Sequence, residues 1–305
     1  MSSPSVETRD LSACPLCDSS HLAEEPFEYL YEGVAFPGAR CRRCGFVFLR
    51  RQPAGESFRR MYDAAYFESD YHCGHEERPY FAGEREESAS ADGLLVLLER
   101  EIDKGRLLEV GCAGGYFLAA ARKRGWATTG IEISEDASRF ARDRLGLDVR
   151  TGTLESVPLA PGSFDVVYLG DVLEHVPDPL PTLGRLHDLI RPGGLVAIGG
   201  PITLNSIDRR LGLWAMRLLG RRKVLRQAPY HLSEFVPGTL RFALRQAGFE
   251  TLRMAQSKIP PTARNVRRRA PLEHWAKFLL DVPNAAITGW FGVAGDRALA
   301  IARRP

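Results

Sequence analysis

Residues 108–116 have the sequence Leu-Glu-Val-Gly-Cys-Ala-Gly-Gly-Tyr, and this stretch decides the fold of the 305-residue chain. The apolar run before Gly111 is typical of a buried strand, the glycines predict a tight turn, and Tyr116–Arg124 has the periodicity of a helix. Glycine lets a backbone approach a ligand closely, and the first turn of a helix presents unpaired N–H groups to that ligand. The stretch therefore predicts a strand, a ligand-binding turn and a helix, in that order.

An acidic residue follows at the distance that is typical of nucleotide-binding α/β proteins. Glu132 lies 21 positions after Gly111, at the end of the next predicted strand, where a carboxylate can accept both ribose hydroxyls of an adenosine ligand. A dinucleotide site requires G-x-G-x-x-G, but the third glycine position is occupied here by the bulky ring of Tyr116. The pattern therefore predicts an adenosine cofactor other than NAD or FAD.

Strands and helices alternate along most of the chain after residue 106. The predicted strands are Leu107–Gly111, Ala127–Ile133, Leu147–Thr151, Phe164–Leu169, Leu195–Gly199, Phe249–Gln256 and Arg297–Ala302. The helices between them are predicted at Tyr116–Arg124, Glu135–Leu145, Pro179–Ile190 and Gly238–Gln246. This order predicts an α/β fold with a mostly parallel sheet covered by helices on both faces. Two insertions, residues 202–228 and 258–292, interrupt the alternation.

The motif at Glu109-x-Gly111-x-Ala113-x-Gly115 resembles the (D/E)xGxGxG signature of class I S-adenosylmethionine-dependent methyltransferases, with Ala113 in place of the middle glycine. The resemblance extends from about residue 92 to residue 305, apart from the two insertions. It implies a Rossmann-like, seven-stranded α/β sheet in which strand 7 is antiparallel. It also implies cofactor contacts at Glu109, Gly111, Cys112, Ala113, Gly115, Tyr116, Glu132, Ile133, Thr153, Leu154 and Asp171.

Two Cys-x-x-Cys pairs lie near the N-terminus, Cys14/Cys17 and Cys41/Cys44. Each pair can present two thiolates on one turn, and two such turns can close a tetrahedral four-thiolate zinc site. The pattern predicts a structural Zn²⁺ ion, with an iron–sulfur cluster or a redox dithiol as the alternatives. This segment resembles the N-terminal zinc-binding segment of some small-molecule and sugar methyltransferases.

The composition divides the chain into three parts. Residues 1–50 are predicted to be a zinc-ribbon-like segment, and residues 51–92 an aromatic-rich linker or lid. In this linker, Tyr62 and Tyr66 are candidates to cover the cofactor or the substrate, with a hydrophobic bridge between the parts as the alternative. Residues 93–305 are predicted to be the S-adenosylmethionine-binding domain.

Methyl transfer requires an aligned acceptor and often the removal of one proton, for which a histidine is suited. His175 follows the fourth predicted strand and His231 precedes the helix at Gly238–Gln246, so both are candidate catalytic residues. A hydrogen bond that organises the loop is the alternative for His175. The loop that begins at Gly170 lacks the (D/N)PP(Y/F) motif of the enzymes that methylate the amino groups of adenine bases and of glutamine, which disfavours those two reactions.

The overall composition places the chain among globular proteins, with 44% hydrophobic and 26% charged residues and a net charge of +3. We find neither an apolar run long enough to cross a membrane nor the apolar core of a secretion signal. We therefore expect a cytoplasmic protein, in which structural disulfides are disfavoured.

The charge is concentrated in residues 201–270, which hold 15 Lys and Arg against three Asp and Glu. Such a block is typical of a protein with an anionic partner, with a solvated basic face as the alternative. We expect methyl transfer to a small molecule that is sugar-like, nucleotide-linked or a secondary metabolite, with this block binding a substrate phosphate. The alternatives are an RNA methyltransferase that grips nucleic acid with its ribbon and basic block, and a non-catalytic binding scaffold.

A peripheral membrane contact is a further hypothesis from the sequence. It rests on the apolar residues of the second insertion, among them Trp275, Ile287, Trp290 and Phe291, which lie near Arg267–Arg269. Asp281 and Pro283 interrupt this apolar run, which favours the alternative that it packs against the sheet or a dimer partner. The sequence leaves the substrate, the acceptor atom and the oligomeric state open.

Overall fold

A computed structural model describes residues 6–62, 84–259 and 282–305, and for residues 84–90 it describes the backbone alone. The N-terminal part consists of short strands and one short helix. These elements are β1 (Thr8–Asp10), β2 (Leu22–Tyr31), β3 (Val34–Cys41), β4 (Val47–Leu49), β5 (Arg51–Pro53) and α1 (Gly55–Arg60). Strand β1 pairs with β5, and β2, β3 and β4 form an antiparallel meander. The aromatic rings of Phe36, Phe46 and Phe48 are buried in this part.

The next part alternates strands with helices, as predicted. Its elements are α2 (Glu84–Leu98), β6 (Arg106–Val110), α3 (Tyr116–Lys123), β7 (Ala127–Glu132), α4 (Glu135–Leu145), β8 (Val149–Thr151), β9 (Phe164–Gly170), α5 (Pro179–Leu189) and β10 (Ile190–Pro201). Ser134 caps the start of helix α4, because its Oγ accepts a hydrogen bond from the Ala137 N–H. The helix ends at Gly146, which adopts a left-handed conformation.

The remainder of the chain supplies the last strands of two larger sheets, whose strand orders are given below. It contains a 3₁₀ turn (Thr203–Asn205), α6 (Ile207–Leu218), β11 (Lys223–Leu225), β12 (Ser233–Glu234), α7 (Pro237–Gln246), β13 (Glu250–Ser257) and β14 (Arg297–Arg303). Residues 282–291, between β13 and β14, are also helical. Among the described residues, no helix combines the length and the apolar composition that crossing a bilayer requires.

The main sheet has seven strands in the order β13-β14-β10-β9-β6-β7-β8. Strand β14, the last in the chain, runs antiparallel to both of its neighbours, and the pairings among β6 to β10 are parallel. Successive residues of its central strands, such as Leu107 and Leu108 or Val166 and Val167, are fully buried because helices cover both faces. The predicted Rossmann-like α/β sheet of seven strands with strand 7 antiparallel is confirmed.

The first insertion belongs to the same sheet as the N-terminal strands. That second sheet has the order β11-β2-β3-β4-β12, so residues 223–225 extend it beside β2. Ion pairs reinforce the junction, since Arg217 of α6 pairs with Glu25 and Arg222 pairs with Glu24 and Glu28. The division of the chain at residues 50 and 92 stays a prediction, and residue 92 itself lies within α2.

Candidate functional site

A cavity of about 790 Å³ opens at the carboxyl ends of the central strands of the main sheet. The carboxyl ends of parallel strands meet at one edge, so residues from distant parts of the chain gather there. The predicted cofactor residues that line the cavity are Glu109, Gly111, Ala113, Glu132, Ile133, Thr153, Leu154 and Asp171. This edge of the sheet is therefore the candidate active site.

Glu132 is fixed at the wall of this cavity by two backbone hydrogen bonds. The Ala113 N–H donates to Glu132 Oε2 at 2.8 Å, and the Ser134 N–H donates to Glu132 Oε1 at 2.9 Å. Burial raises the pKa of Glu132, and the backbone N–H groups oppose that shift. Each carboxylate oxygen keeps a lone pair, so Glu132 can still accept hydrogen bonds from a ligand in the cavity.

The turn between β6 and α3 requires glycine at two positions. Gly111 and Gly115 have φ angles of +69° and +81°. A Cβ atom at Gly111 would lie 2.5 Å from Val172 Cγ2, and one at Gly115 would lie 2.6 Å from Leu147 Cδ1. Both the positive φ angles and the lack of room for a Cβ atom require glycine at these positions. The backbone of this turn is therefore held in a fixed place beside Glu132.

Three of the predicted cofactor residues do not line the cavity. Cys112 and Tyr116 are buried behind the turn, and Tyr116 packs edge-on against Phe140 with ring centroids 6.1 Å apart. Gly115 begins helix α3. These residues shape the turn from behind, and a direct contact between them and a cofactor stays a prediction.

His175 lines the cavity in a defined tautomer. Its Nδ1 lies 3.0 Å from the Tyr230 carbonyl oxygen, which can only accept a hydrogen bond, so Nδ1 carries the hydrogen and Nε2 the lone pair. The Tyr62 hydroxyl lies 3.2 Å from the same nitrogen, and Tyr62 also lines the cavity. Burial and the nearby charge of His231 lower the pKa of His175 to about 3, so this histidine is neutral near pH 7. Tyr66, the other predicted covering residue, lies outside the described residues.

His231 contacts His175 from behind. The two rings meet edge-on with centroids 4.9 Å apart, and His231 is not among the cavity-lining residues. Burial lowers the pKa of His231, but Glu234, whose Oε1 lies 3.8 Å from Nδ1, together with Glu174 and Asp171 outweighs burial and raises the pKa to about 9. The structure therefore pairs a neutral histidine on the cavity wall with a charged histidine behind it.

Glu174 is a residue that the sequence analysis missed. Its Oε1 lies 3.8 Å from His175 Nε2, and the side chain is buried, with burial and then Asp171 raising its pKa to about 8. One ligand atom each from Glu174, His175 and His231 lies within 4.8 Å of the others. The available signal was its position directly before His175 in the loop after β9.

Asp171 is held at the edge of the cavity by two contacts. Its backbone N–H donates to the Gly199 carbonyl, and Arg297 Nη2 donates to both carboxylate oxygens at 2.7 Å. Arg297 lies at the start of β14 and is the only Lys or Arg on the cavity wall within the described part of the chain. Asp171 is therefore a fixed acidic group at the carboxyl end of β9.

The four predicted metal ligands form a separate cluster in the N-terminal part. The Sγ atoms of Cys14 and Cys44 are 3.5 Å apart, as are those of Cys17 and Cys41. All four sulfur atoms lie within 4.8 Å of one another. This separation is too long for a disulfide bond of about 2.05 Å. It fits the edge of a tetrahedron of thiolates around one metal ion.

Comparison with known proteins places these features in context. Residues 81–253 match a family model described as a methyltransferase domain. A ubiquinone biosynthesis O-methyltransferase of Ruegeria pomeroyi is 36% identical over 161 residues, which cover 50% of this chain and 62% of that protein. A protein of the same name from Aromatoleum aromaticum is 33% identical over 156 residues, covering 48% of this chain and 64% of that protein. The alignments thus span less than two thirds of these relatives.

A solved structure resembles the fold. It is a SAM-dependent methyltransferase of Thermotoga maritima, described as a possible histamine N-methyltransferase, with 19% identity and a TM-score of 0.52. The superposition covers 81% of this chain and 98% of that chain. At this identity, the likeness concerns the fold alone.

Proposed function

The chain belongs to the methyltransferase domain family, and from that premise we propose that it transfers a methyl group from S-adenosylmethionine to a hydroxyl oxygen of a small organic molecule. The observation that carries the proposal is the cavity with Glu132 locked between the Ala113 and Ser134 N–H groups. The choice of oxygen follows the O-methyltransferases among its relatives. Sugar-like and nucleotide-linked molecules remain among the candidate acceptors.

The cavity residues fit S-adenosylmethionine as a ligand. In this proposal Glu132 accepts hydrogen bonds from the ribose hydroxyls, and Thr153 and Leu154 contact the adenine. Asp171 accepts a hydrogen bond from the ammonium group of the methionine portion. The rigid turn at Gly111 holds the backbone close to the bound molecule. When bound, S-adenosylmethionine supplies a methyl group that its sulfonium charge has already activated.

His175 is our candidate for the general base. It is neutral near pH 7, and its Nδ1–H is held by the Tyr230 carbonyl, which leaves the Nε2 lone pair to accept a hydrogen bond from the acceptor hydroxyl. Because a pKa of about 3 makes His175 a weak base, the proton leaves only when bond formation to the methyl carbon makes the acceptor oxygen more acidic. As the oxygen–carbon bond forms and the carbon–sulfur bond breaks, that proton passes to Nε2 beside Glu174. His175 thus removes a proton during the transfer.

His231 has a different role in this proposal. A histidine with a pKa of about 9 is already protonated near pH 7, so it cannot accept a proton there. Its positive charge, one ring behind His175, instead favours the negative charge that develops on the acceptor oxygen. His231 acts through His175 and is a positioning residue.

We also propose that Cys14, Cys17, Cys41 and Cys44 hold a structural Zn²⁺ ion. The four thiol sulfurs fit a closed tetrahedral site, which leaves no position open for a substrate. The cluster is formed by the end of β3 and by the loops before β2 and after β3, and it contributes no residue to the cavity wall. In this proposal the ion stabilises the N-terminal part.

The basic insertion gives the RNA hypothesis little support. Arg217 and Arg222 are engaged with acids of β2, so part of the positive charge is neutralised within the protein. No observation in the described residues favours nucleic acid over a small molecule as the acceptor.

The test uses purified full-length protein, methyl-labelled S-adenosylmethionine and small molecules that carry ring hydroxyls. We expect label in a methyl ether product, and little label with the Glu132→Ala variant. Glu135→Ala, which removes an exposed carboxylate from α4, is the matched control and should retain activity. Failure to bind S-adenosylmethionine in a calorimetric titration, or label only in the RNA fraction of a cell extract, would contradict the proposal.

A further inference from the structure

Helix α6 presents an apolar stripe to solvent. Leu211, Trp214 and Leu218 follow one another at intervals of three and four residues, so they lie on one face, and their exposed fractions are 49%, 61% and 70%. Leu213, on the other side of the helix, packs into the core beneath the second sheet. A surface helix normally turns polar residues outward, so a second apolar face marks an interaction surface.

Positive charge surrounds this stripe. The basic residues of α6 and of the turn after it are Arg209, Arg210, Arg217, Arg221, Arg222, Lys223 and Arg226. Asp208 is the only acidic residue between positions 201 and 230. Arg210 precedes Trp214 by four residues and has no ion-pair partner in the described part of the chain, whereas Arg217 and Arg222 pair with acids of β2. The surface therefore combines exposed apolar side chains with an excess of arginine.

The stripe starts beside the candidate active site. Asn205, two residues before α6, donates from Nδ2 to the Gly295 carbonyl and to Gln256 Oε1, and Gln256 lines the cavity. The segment that leads to Gly295 also exposes large apolar side chains, since Trp290 is 80% and Phe291 is 71% exposed. Two exposed apolar segments thus meet the body of the protein at one junction next to the cavity.

We propose that α6 docks on an anionic phospholipid bilayer. Leu211, Trp214 and Leu218 would enter the boundary between headgroups and acyl chains, and basic residues other than the engaged Arg217 and Arg222, such as Arg210, would contact lipid phosphates. A bilayer of this kind would bury the exposed apolar side chains and would also offer phosphate groups to the arginines. A nucleic acid would use the charges but leave the apolar side chains in water.

A second copy of the chain fits this surface less well. In a two-fold dimer the same patch meets itself, so the arginines around α6 would face one another. Charge complementarity therefore favours an anionic partner over a second copy.

The experiment measures co-sedimentation of the full-length protein with phospholipid vesicles. One set of vesicles contains phosphatidylcholine alone, and the other contains phosphatidylcholine with one quarter phosphatidylglycerol. We expect binding to the anionic vesicles, weaker binding at high salt, and little binding to the neutral ones. The double variant Trp214→Glu, Leu218→Glu should lower the affinity for anionic vesicles about tenfold or more.

The double variant Val96→Glu, Leu252→Glu is the matched control, because it adds the same two negative charges at exposed apolar positions on α2 and β13. It should leave vesicle binding unchanged, and circular dichroism should show that all variants are folded. Absence of binding to anionic vesicles, or binding that the double variant retains, would overturn the proposal. A dimer in solution that Trp214→Glu, Leu218→Glu separates would also overturn it, because the surface would then belong to a second copy.

Discussion

The two larger sheets of this protein are stabilised in different ways. The central strands of the main sheet bury successive apolar residues on both faces, and its glycine turn is fixed by contacts with Val172 and Leu147. The second sheet combines a small aromatic core with four clustered cysteines and a set of ion pairs to the first insertion. The main sheet therefore depends chiefly on burial, and the second sheet also depends on chemistry that single substitutions can remove.

The two larger sheets also differ in what they contribute to the candidate active site. The cavity lies at one edge of the main sheet, and its acidic groups are held by backbone N–H groups or by arginine. Phe58 and Tyr62 of the cavity wall lie in and just after α1, which follows the β1-β5 pair, and no residue from the strands of the second sheet lines the cavity in the described part of the chain. The two regions share one hydrophobic cluster, in which Cys41 and Phe46 pack together with Leu108 and Val167 of the main sheet. We therefore expect changes in the second sheet to act there first and to reach the main sheet only through this shared packing.

The largest expected effect is the loss of zinc from the second sheet. Cys41→Ser removes one of the four thiolates of the proposed zinc site, and zinc content should fall from one ion per chain to nearly none, because three thiolates hold the ion much more weakly than four. The N-terminal part should then lose the stability that the ion supplies, which is on the order of 10 kcal/mol for structural zinc. Hydrogen exchange should then increase across β2 to β4 and much less across β6 to β10.

The matched control for this prediction is Cys112→Ser, which changes a buried cysteine of the main sheet. It should leave the zinc content unchanged. If β2 to β4 and β6 to β10 lose their protection against hydrogen exchange to the same extent in Cys41→Ser, the two sheets do not differ in how they are stabilised.

The second effect concerns the main sheet alone. Glu132→Ala removes a charged acceptor from the cavity wall, and the affinity for S-adenosylmethionine should fall about a hundredfold. Isothermal titration calorimetry measures the affinity, and zinc content measured on the same sample should not change. An unchanged affinity would mean that the ribose binds elsewhere.

The third effect is a pH dependence at the histidine pair. The pKa of His231 is raised to about 9, so its charged form is present below that pH and is lost as pH rises through 9. We expect kcat/KM to fall above about pH 9 in the native protein, and His231→Gln to lower kcat about tenfold and abolish that fall. A rise of kcat/KM through pH 9 would instead identify His231 as the base.

The smallest effect tests the ion pairs between the second sheet and the insertion. The Glu25 side chain is fully buried and accepts hydrogen bonds from both Arg40 and Arg217. Glu25→Gln should lower the free energy of unfolding by about 2 kcal/mol, which is less than for a fully buried pair because both arginines are partly exposed. Urea denaturation measures this change.

Glu24→Gln is the control for Glu25, because Glu24 is exposed and pairs with Arg222 at the surface. Its effect should stay below about 0.5 kcal/mol. Equal effects of the two substitutions would show that burial of Glu25 does not strengthen the junction.

Local features of the fold and of the site were predictable from the sequence. The alternation of strands and helices predicts seven strands, and all seven lie in the main sheet. The glycine turn and Glu132 were found from spacing alone, and they are linked by a hydrogen bond in the structure. The Cys-x-x-Cys spacing likewise predicted a cluster that the fold brings together.

The remaining features depend on contacts between residues far apart in the chain. Glu25 pairs with Arg217 across 192 positions, and β11 of the insertion joins β2 of the N-terminal part. The neighbourhood of His175 and His231 likewise forms only when the loop after β9 packs against residues before α7. No periodicity or spacing records such pairs.

The sequence by itself determined the α/β sheet, the position of the glycine turn and the pairs of cysteines, because backbone conformation and burial patterns act over a few neighbouring residues. Only the tertiary structure decided that the basic insertion completes the second sheet, that Glu174 is buried beside His175, and that α6 turns Trp214 outward. Burial and charge environment depend on which distant segments pack together, and the pKa values of the histidine pair follow from that packing.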